Sequence, residues 1–274
     1  MLAEAGWITI GPHQEGEAQM ALDRSMAEAT ARDGAARVRF YEFRPPCLSL
    51  GYHQNRGDVD LEAVRRHGDT VAIRPTGGRA VLHKGDFVYS VSSPSTGLAP
   101  GASLHTGVYN LVSLALTIGL RKLGLEPDDA ARHLDTADDS DLPRLCFSAS
   151  TRHEIVVHGR KLVGSAQRVM RGAVLQHGSL LVTREHLEVT DLLAGLDNER
   201  RRRTRVALER RTVCLRDLGF SRGFEELAEV FSKSFGEIFA PLKSVGVEQF
   251  ERSLQVVLEG SALSDPPAIN SSAR

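Results

Sequence analysis

Apolar residues along this chain recur with two distinct periods, and the period separates helix from strand. Over residues 15–30, Ala18, Leu22, Ser25 and Ala29 return every three or four positions, which predicts an amphipathic helix packed on that stripe. Residues 38–43 and 47–52 are short runs of strand type. Pro45-Pro46 separates them, a pair that a central strand cannot hold because proline has no N–H to donate. Asp60 opens a short helix over residues 60–67, and Gly68 stands where a C-terminal cap belongs. Residues 70–73 and 87–92 predict strands on either side of a glycine-bearing turn. The longest helical pattern covers residues 104–123, with Val108, Leu111, Ala115, Ile118 and Leu123 on one side, and stops at Gly124. Residues 127–143 are acidic and polar, and read as a surface loop around a short helix. Strand signals return at 153–157, from Leu162 onward and at 178–182. A turn at Gly159-Arg160 makes an antiparallel hairpin that carries Lys161 beside it. The last third is helical, with Phe224, Leu227, Phe231, Phe235 and Phe239 on one face, and the Ser/Pro-rich stretch from Ser261 reads as a frayed tail. Strands and helices mix without a regular βαβ beat. The expected class is α+β, a mixed sheet flanked by helices, with residues 1–260 as one domain and 261–274 as a tail.

Composition adds exclusions. The 274 residues are 41% apolar and 25% charged, which sets disordered, collagenous and membrane classes aside. A formal net charge of -1 gives no global basic field, so nucleic acid is not an expected partner. No apolar run approaches the roughly 18 residues of a membrane span, and the first residues lack the basic and then apolar pattern of a signal peptide. Three cysteines, Cys47, Cys146 and Cys214, are too few and too scattered for a disulfide framework, and no two have zinc-site spacing. A reduced, cytoplasmic protein without a metal is the expectation. The basic run at residues 200–205, with Arg210 and Arg211, reads either as a solvated charged face or as a docking surface for an acidic partner.

Three clusters are candidates for chemistry. The first runs from Arg74 through Gly77, Gly78 and Arg79 to His83. Adjacent glycines let backbone approach a ligand closely, and the arginines suit a phosphate or carboxylate. Taken alone, the same residues describe a tight hairpin with solvated arginines. The second holds Lys161, Gly164, Ser165, Ala166 and Gln167, followed by His177 and Gly178. A partly desolvated lysine there can polarise a carbonyl or lower the pKa of a nearby thiol. The third is Cys146-Phe147, which closes the polar loop fifteen positions before Lys161. Cys47 and Cys214 sit in apolar, strand-like settings and read as inert.

Together RPTGGRAVLH with FVYSV, CF with HEIVVHGRKLVGSAQ, LQHGSLLV, and the earlier QMALDRSM and LSLGYHQ resemble the lipoate–protein ligase and octanoyltransferase family. The resemblance runs in order from about Gln19 to about Val182. It implies the mixed-sheet fold shared with biotin–protein ligase catalytic domains, with an acyl chain in a tunnel. It also implies that the Gly77-Gly78 turn lines the carbonyl end and that Lys161 binds the acyl carbonyl oxygen. Within the family, ligases activate free lipoate with ATP and magnesium, whereas transferases take octanoate from the phosphopantetheine of acyl carrier protein through a cysteine thioester, with no further cofactor. Ligases typically carry a third glycine in the turn and then His-Asp; this chain has Gly77-Gly78-Arg79 and His83-Lys84. Cys146-Phe147 resembles the nucleophile of the LipM-type transferase branch. The expected activity is therefore octanoyl transfer to a lysine of a lipoyl domain or the glycine-cleavage H protein. An ATP-dependent ligase, an amidotransferase between carrier domains, and a non-catalytic acyl-binding relative are the alternatives.

Overall fold

The computed structural model describes residues 6–95, 104–128, 154–170, 172–239 and 241–262. Along the chain come β1 (Gly6–Ile10), α1 (Gly16–Asp33), β2 (Arg37–Tyr41), β3 (Cys47–Leu50), α2 (Leu61–Arg66), β4 (Thr70–Ile73), β5 (Val81–His83) and β6 (Asp86–Pro94). They are followed by α3 (Leu104–Lys122), β7 (Ile155–Val157), β8 (Arg160–Met170), β9 (Ala173–Leu181), α4 (Asn198–Arg211), α5 (Phe224–Ile238), β10 (Leu242–Ser244) and α6 (Val247–Ala262). Seven strands form one mixed sheet in the order β10-β1-β2-β6-β9-β8-β7, and three form a smaller sheet in the order β4-β3-β5. Parallel pairs join β10, β1 and β2, while β2 to β7 pair antiparallel. The α+β expectation stands.

Alternation along β2 and β6 sorts the two faces of the large sheet. Val38, Phe40, Phe87 and Tyr89 point to one core with α3 and α5, where Val112, Leu116, Leu227, Phe231 and Phe235 are buried. Tyr41 and Val88 point the other way, toward Met20 of α1 and the small sheet. Gly119 of α3 permits close packing on α5, since a Cβ there would stand 2.5 Å from the Phe231 ring. A third core lies under the small sheet, where Leu48, Val64, Leu82, Leu187, Leu192 and Leu208 gather.

Local chemistry accounts for several boundaries. The Asp60 carboxylate accepts from the N–H groups of Glu62 and Ala63 and starts α2, and Gly68 follows with φ +75°. At the β7–β8 hairpin the reversal falls on His158-Gly159, one residue before the expected turn. Both residues have positive φ, which a two-residue turn between twisted strands needs. Asp128 steadies it by accepting from the N–H groups of His158 and Gly159 at 3.2 and 2.7 Å.

The stripe expected on α1 is displaced. Ala29 is buried, but Ala18, Leu22 and Ser25 are only half-buried; the inward face instead carries Gln19, Met20, Asp23, Met26, Ala27 and Thr30. Polar side chains occupy this face because β2 and β9 supply partners for them. Three short strands, β1, β5 and β10, carry no period long enough to announce them. Most of the acidic stretch 127–143, Cys146-Phe147, His153 and the tail beyond Ala262 lie outside the described residues. Replacing Phe231 by alanine removes the ring that fills the α3–α5 contact, and a loss of about 3–5 kcal/mol is expected in urea unfolding.

Candidate active site

A buried carboxylate sets the site. Asp23 of α1 accepts from Arg39 of β2 at 2.7 Å and from Nδ1 of His177 on β9 at 3.0 Å, and the Tyr41 hydroxyl reaches it at 3.3 Å. Burial alone would push the Asp23 carboxyl up, but the Arg39 guanidinium and the His177 hydrogen bond outweigh it and hold the group at about 2. Burial holds His177 below the ordinary histidine value against the pull of Asp23. A neutral imidazole that donates from Nδ1 to an ionised carboxylate keeps its lone pair on Nε2, and there the Thr76 hydroxyl donates. The result is a Thr76–His177–Asp23 relay that crosses from the glycine loop to the sheet to α1. Arg39 also donates to Oε1 of Gln19, and its guanidinium lies 4.0 Å over the Tyr41 ring.

A second relay runs beside the first. Nε2 of His83 meets the Ser49 hydroxyl at 2.9 Å, and its Nδ1 meets Asp86 at 2.8 Å. Ser179 donates to the same Asp86 carboxylate at 2.5 Å. The His83 ring stacks on Phe43 with centroids 4.4 Å apart. Arg74 closes the end of this wall. Its guanidinium donates to the carbonyls of Ser49, Gly77 and Arg79, so it clamps the glycine loop onto β3. Arg168 pins the loop from the other side, donating to the Pro75 carbonyl at 2.9 Å.

Between the two sheets lies a narrow, partly enclosed cleft. Met20, Tyr41, Phe43, Val81 and Val88 form its apolar walls, and Ser49, Arg74, His83 and His177 give it one polar side. Its floor is the β8–β9 pair, Gly164, Ser165, Ala166, Gly178 and Ser179. Gly178 is required by the side of the sheet turned away from the cleft: a Cβ would stand 2.5 Å from the Tyr89 hydroxyl and from the Gly164 carbonyl.

Lys161 sits three residues before Gly164 on β8, 1% exposed, with its ammonium on the Glu154 carboxylate. The described residues that bound the Cys146 stretch both meet this hairpin. Asp128 donates its N–H to Val156, whose register partner is Lys161, and Glu154 is the residue paired with the Lys161 ammonium. Cys47 and Cys214 are buried free thiols; burial pushes Cys47 up to about 12 and raises Cys214 as well. Neither is a thiolate at neutral pH.

The model of the lipoyl protein ligase A/B catalytic domain family matches residues 15–236. The chain belongs to this family. Similar members include the octanoyltransferase LipM of Kyrpidia tusciae, 39% identical over 235 residues, or 81% of this chain and 84% of that one. The octanoyltransferase LipM of Geobacillus kaustophilus is 37% identical over 229 residues, covering 81% and 76%. Among solved structures, the bipartite lipoate protein ligase of Thermoplasma acidophilum superposes with a TM-score of 0.67 at 19% identity, covering 93% of this chain and 92% of that one. That likeness shows that the fold is the family's.

Of the residues singled out in the sequence, Arg74, His83, Gly164, Ser165, Ala166, His177 and Gly178 converge on the cleft. Gly77, Gly78 and Arg79 form the loop held by Arg74, and Gly78 packs its carbonyl against Gly51, where a Cβ would come within 2.0 Å. Gln167 and Lys161 are not among the cleft walls, and Cys146 lies outside the described residues. Asp23, Ser49, Thr76 and Asp86 were missed. Gln19 and Asp23, four apart on a helix and therefore on one face, were the available signal.

The buried histidines make stability pH-dependent. His186, enclosed between Thr183 and Thr212, is depressed by burial to about 4, and His177 is depressed in the same direction. The unfolded chain then takes up protons that the folded chain refuses, so their stabilisation is complete above pH ~6.5 and is lost as pH falls. Asp23, held at about 2, adds stability that disappears only in stronger acid. Unfolding free energies should be level from pH 8 to 7 and decline from ~6.5 toward 4, with a shallower decline for His186→Gln. A level profile down to pH 4.5 would count against neutral buried histidines.

Proposed function

We propose that this chain is an octanoyltransferase that moves an octanoyl group from the phosphopantetheine of acyl carrier protein, through Cys146, to a lysine of a lipoyl domain or glycine-cleavage H protein. The observation that carries the reading is the set of relatives named octanoyltransferase, 37–39% identical across 81% of the chain. The cleft supports it: apolar walls ending in one polar side suit a medium acyl chain with a reactive carbonyl at its end, and burying that chain contributes about 0.8 kcal/mol per CH₂.

Chemistry follows in two steps. The Cys146 thiolate attacks the thioester carbonyl; the new C–S bond forms as the carrier's sulfur leaves and takes up a proton. The acceptor's neutral ε-amine then attacks the Cys146 thioester, the amide C–N bond forms, and the thiolate is restored as the amine's proton departs. Thioester to amide is downhill, so no ATP enters. Lys161 supplies the positive charge that favours the thiolate and the oxyanion. The two relays keep the polar side of the cleft pre-oriented, and a thiol nucleophile of this kind fits the reducing cytoplasm.

In native protein a thiol reagent should label one cysteine of three quickly, and Cys146→Ala should abolish that labelling, because Cys47 and Cys214 are sealed. Incubation with octanoyl acyl carrier protein without ATP should give a hydroxylamine-labile octanoyl adduct by intact mass, absent from Cys146→Ala. Lys161→Ala should slow adduct formation at least 100-fold. Acylation of a lipoyl domain only with ATP and free acid would move the chain to the ligase activity. Adduct formation only from an octanoylated lipoyl domain would make it an amidotransferase.

A further inference from the structure

At the edge of the large sheet, away from the cleft, three paired strands bring Lys243 of β10, Trp7 of β1 and Arg37 of β2 into one row. Residues directly paired in parallel strands point to the same face. On that face the row lines a groove with Asp33, at the end of α1, and with Arg252 and Val256 of α6. Arg32 latches the two helices there, donating to the Leu258 carbonyl at 3.0 Å. The groove shares no lining residue with the cleft. Met20 lies near the start of α1 and Asp33 at its end, roughly 20 Å apart at 1.5 Å per residue. Three cations meet one carboxylate in the groove, and that carboxylate is already taken. Asp33 receives both terminal nitrogens of the buried Arg37, at 2.9 and 2.5 Å. The Arg37 Nε, also buried, has no hydrogen-bond partner among the described residues. Lys243 and Arg252 are exposed and have no ion pair among the described residues, and Glu248 and Glu251 of α6 are not among the groove's walls. Trp7 and Val257 are half-buried against the core of Met26, Phe250 and Leu254, while Val256 is 65% exposed. Arg65 and Arg216 are exposed cations too; Lys243 and Arg252 differ in lining one groove together with an indole and a buried guanidinium.

We propose that this groove is a binding site for a small organic anion, its acidic group held by Lys243 and Arg252 and its apolar or aromatic body laid on Trp7, Val256 and Val257. Charge selects the sign of the ligand. With Asp33 committed to Arg37, one ammonium and one guanidinium remain, and a phosphate or carboxylate answers both through charge-assisted hydrogen bonds. The indole and the valines select the body. They leave apolar surface in water, and a flat ring or an alkyl chain placed on it buries area on both partners. An inorganic ion meets the first condition and not the second; a neutral apolar molecule meets the second and not the first. Nucleoside phosphates and medium-chain carboxylates meet both. The site lies apart from the cleft and stands whether or not the octanoyl-transfer reading holds.

Trp7 is the one tryptophan of the chain, so its emission reads the groove. Native protein is titrated with 1-anilinonaphthalene-8-sulfonate, an aromatic body with a single negative charge, while Trp7 is excited. Saturable quenching of Trp7 with sensitised dye emission is expected. K243Q/R252Q should weaken binding about tenfold or more, and K243R/R252K, which keeps both charges, should bind as the wild type does. R65Q/R216Q, which removes two exposed cations elsewhere, should also match the wild type. N-phenyl-1-naphthylamine, the same rings without the charge, should bind far more weakly. AMP or octanoate should displace the dye at concentrations where inorganic phosphate does not, and the one that acts assigns the source of the anion. Equal losses in K243Q/R252Q and R65Q/R216Q overturn the proposal, as does equal binding of the uncharged dye. Displacement by inorganic phosphate as readily as by AMP would remove the apolar platform from it. Failure of AMP and octanoate alike would leave the dye an adventitious additive only, and overturns it as well.

Discussion

The Asp23 carboxylate, ionised and wholly buried, is the constraint around which the other parts are arranged. A charge removed from water costs several kcal/mol unless it is paired and its lone pairs are filled, and breaking such a pair costs more than never having built it. Asp23 answers this by drawing Arg39, Tyr41 and His177 to one point from two strands. Two of those groups have a further partner: Arg39 has Gln19 and His177 has Thr76. The register of α1 on the sheet is thereby set by polar geometry, and the apolar contacts follow it. An all-apolar face could slide by a turn at little cost; a face holding Gln19 and Asp23 cannot.

The same logic reaches the glycine loop. Thr76 ties it to β9, Arg74 ties it to β3, and Arg168 holds Pro75. The loop is therefore fixed from three directions before any ligand arrives. A second buried carboxylate, Asp86, does for His83 what Asp23 does for His177, so both imidazoles on the cleft have their orientation decided by partners behind them. Such pre-arranged dipoles need no reorganisation when charge develops on a substrate, which is how a polar wall contributes most to a rate.

Much of this architecture was legible in the residues. The 60–67 helix followed from Asp60 and Gly68, the α5 face from its spaced phenylalanines, and the Lys161 hairpin from Gly159 between two apolar runs. The glycine cluster, the GSAQ stretch of β8 and the QHGS strand were visible as candidate site, and seven of their residues do meet on the cleft. The rest was hidden for identifiable reasons. Strands of three residues, such as β5, are too short to show a period. Asp23 and Asp86 look like surface residues until their partners, His177 across 154 positions and Ser179 across 93, are brought to them. Periodicity reports where apolar groups gather; it is silent on buried polar groups that long-range pairing satisfies.

The floor of the cleft is Gly164, Ala166 and Gly178 with two serines, so it is made largely of main chain. Walls of Met20, Val81 and Val88 can be enlarged or trimmed by single substitutions, but a floor of peptide groups cannot be lowered. Divergence in this lineage can therefore adjust the width of what the cleft accepts far more readily than its depth. Changes in width are open to ordinary drift, whereas a change in depth requires rebuilding the β8–β9 pair.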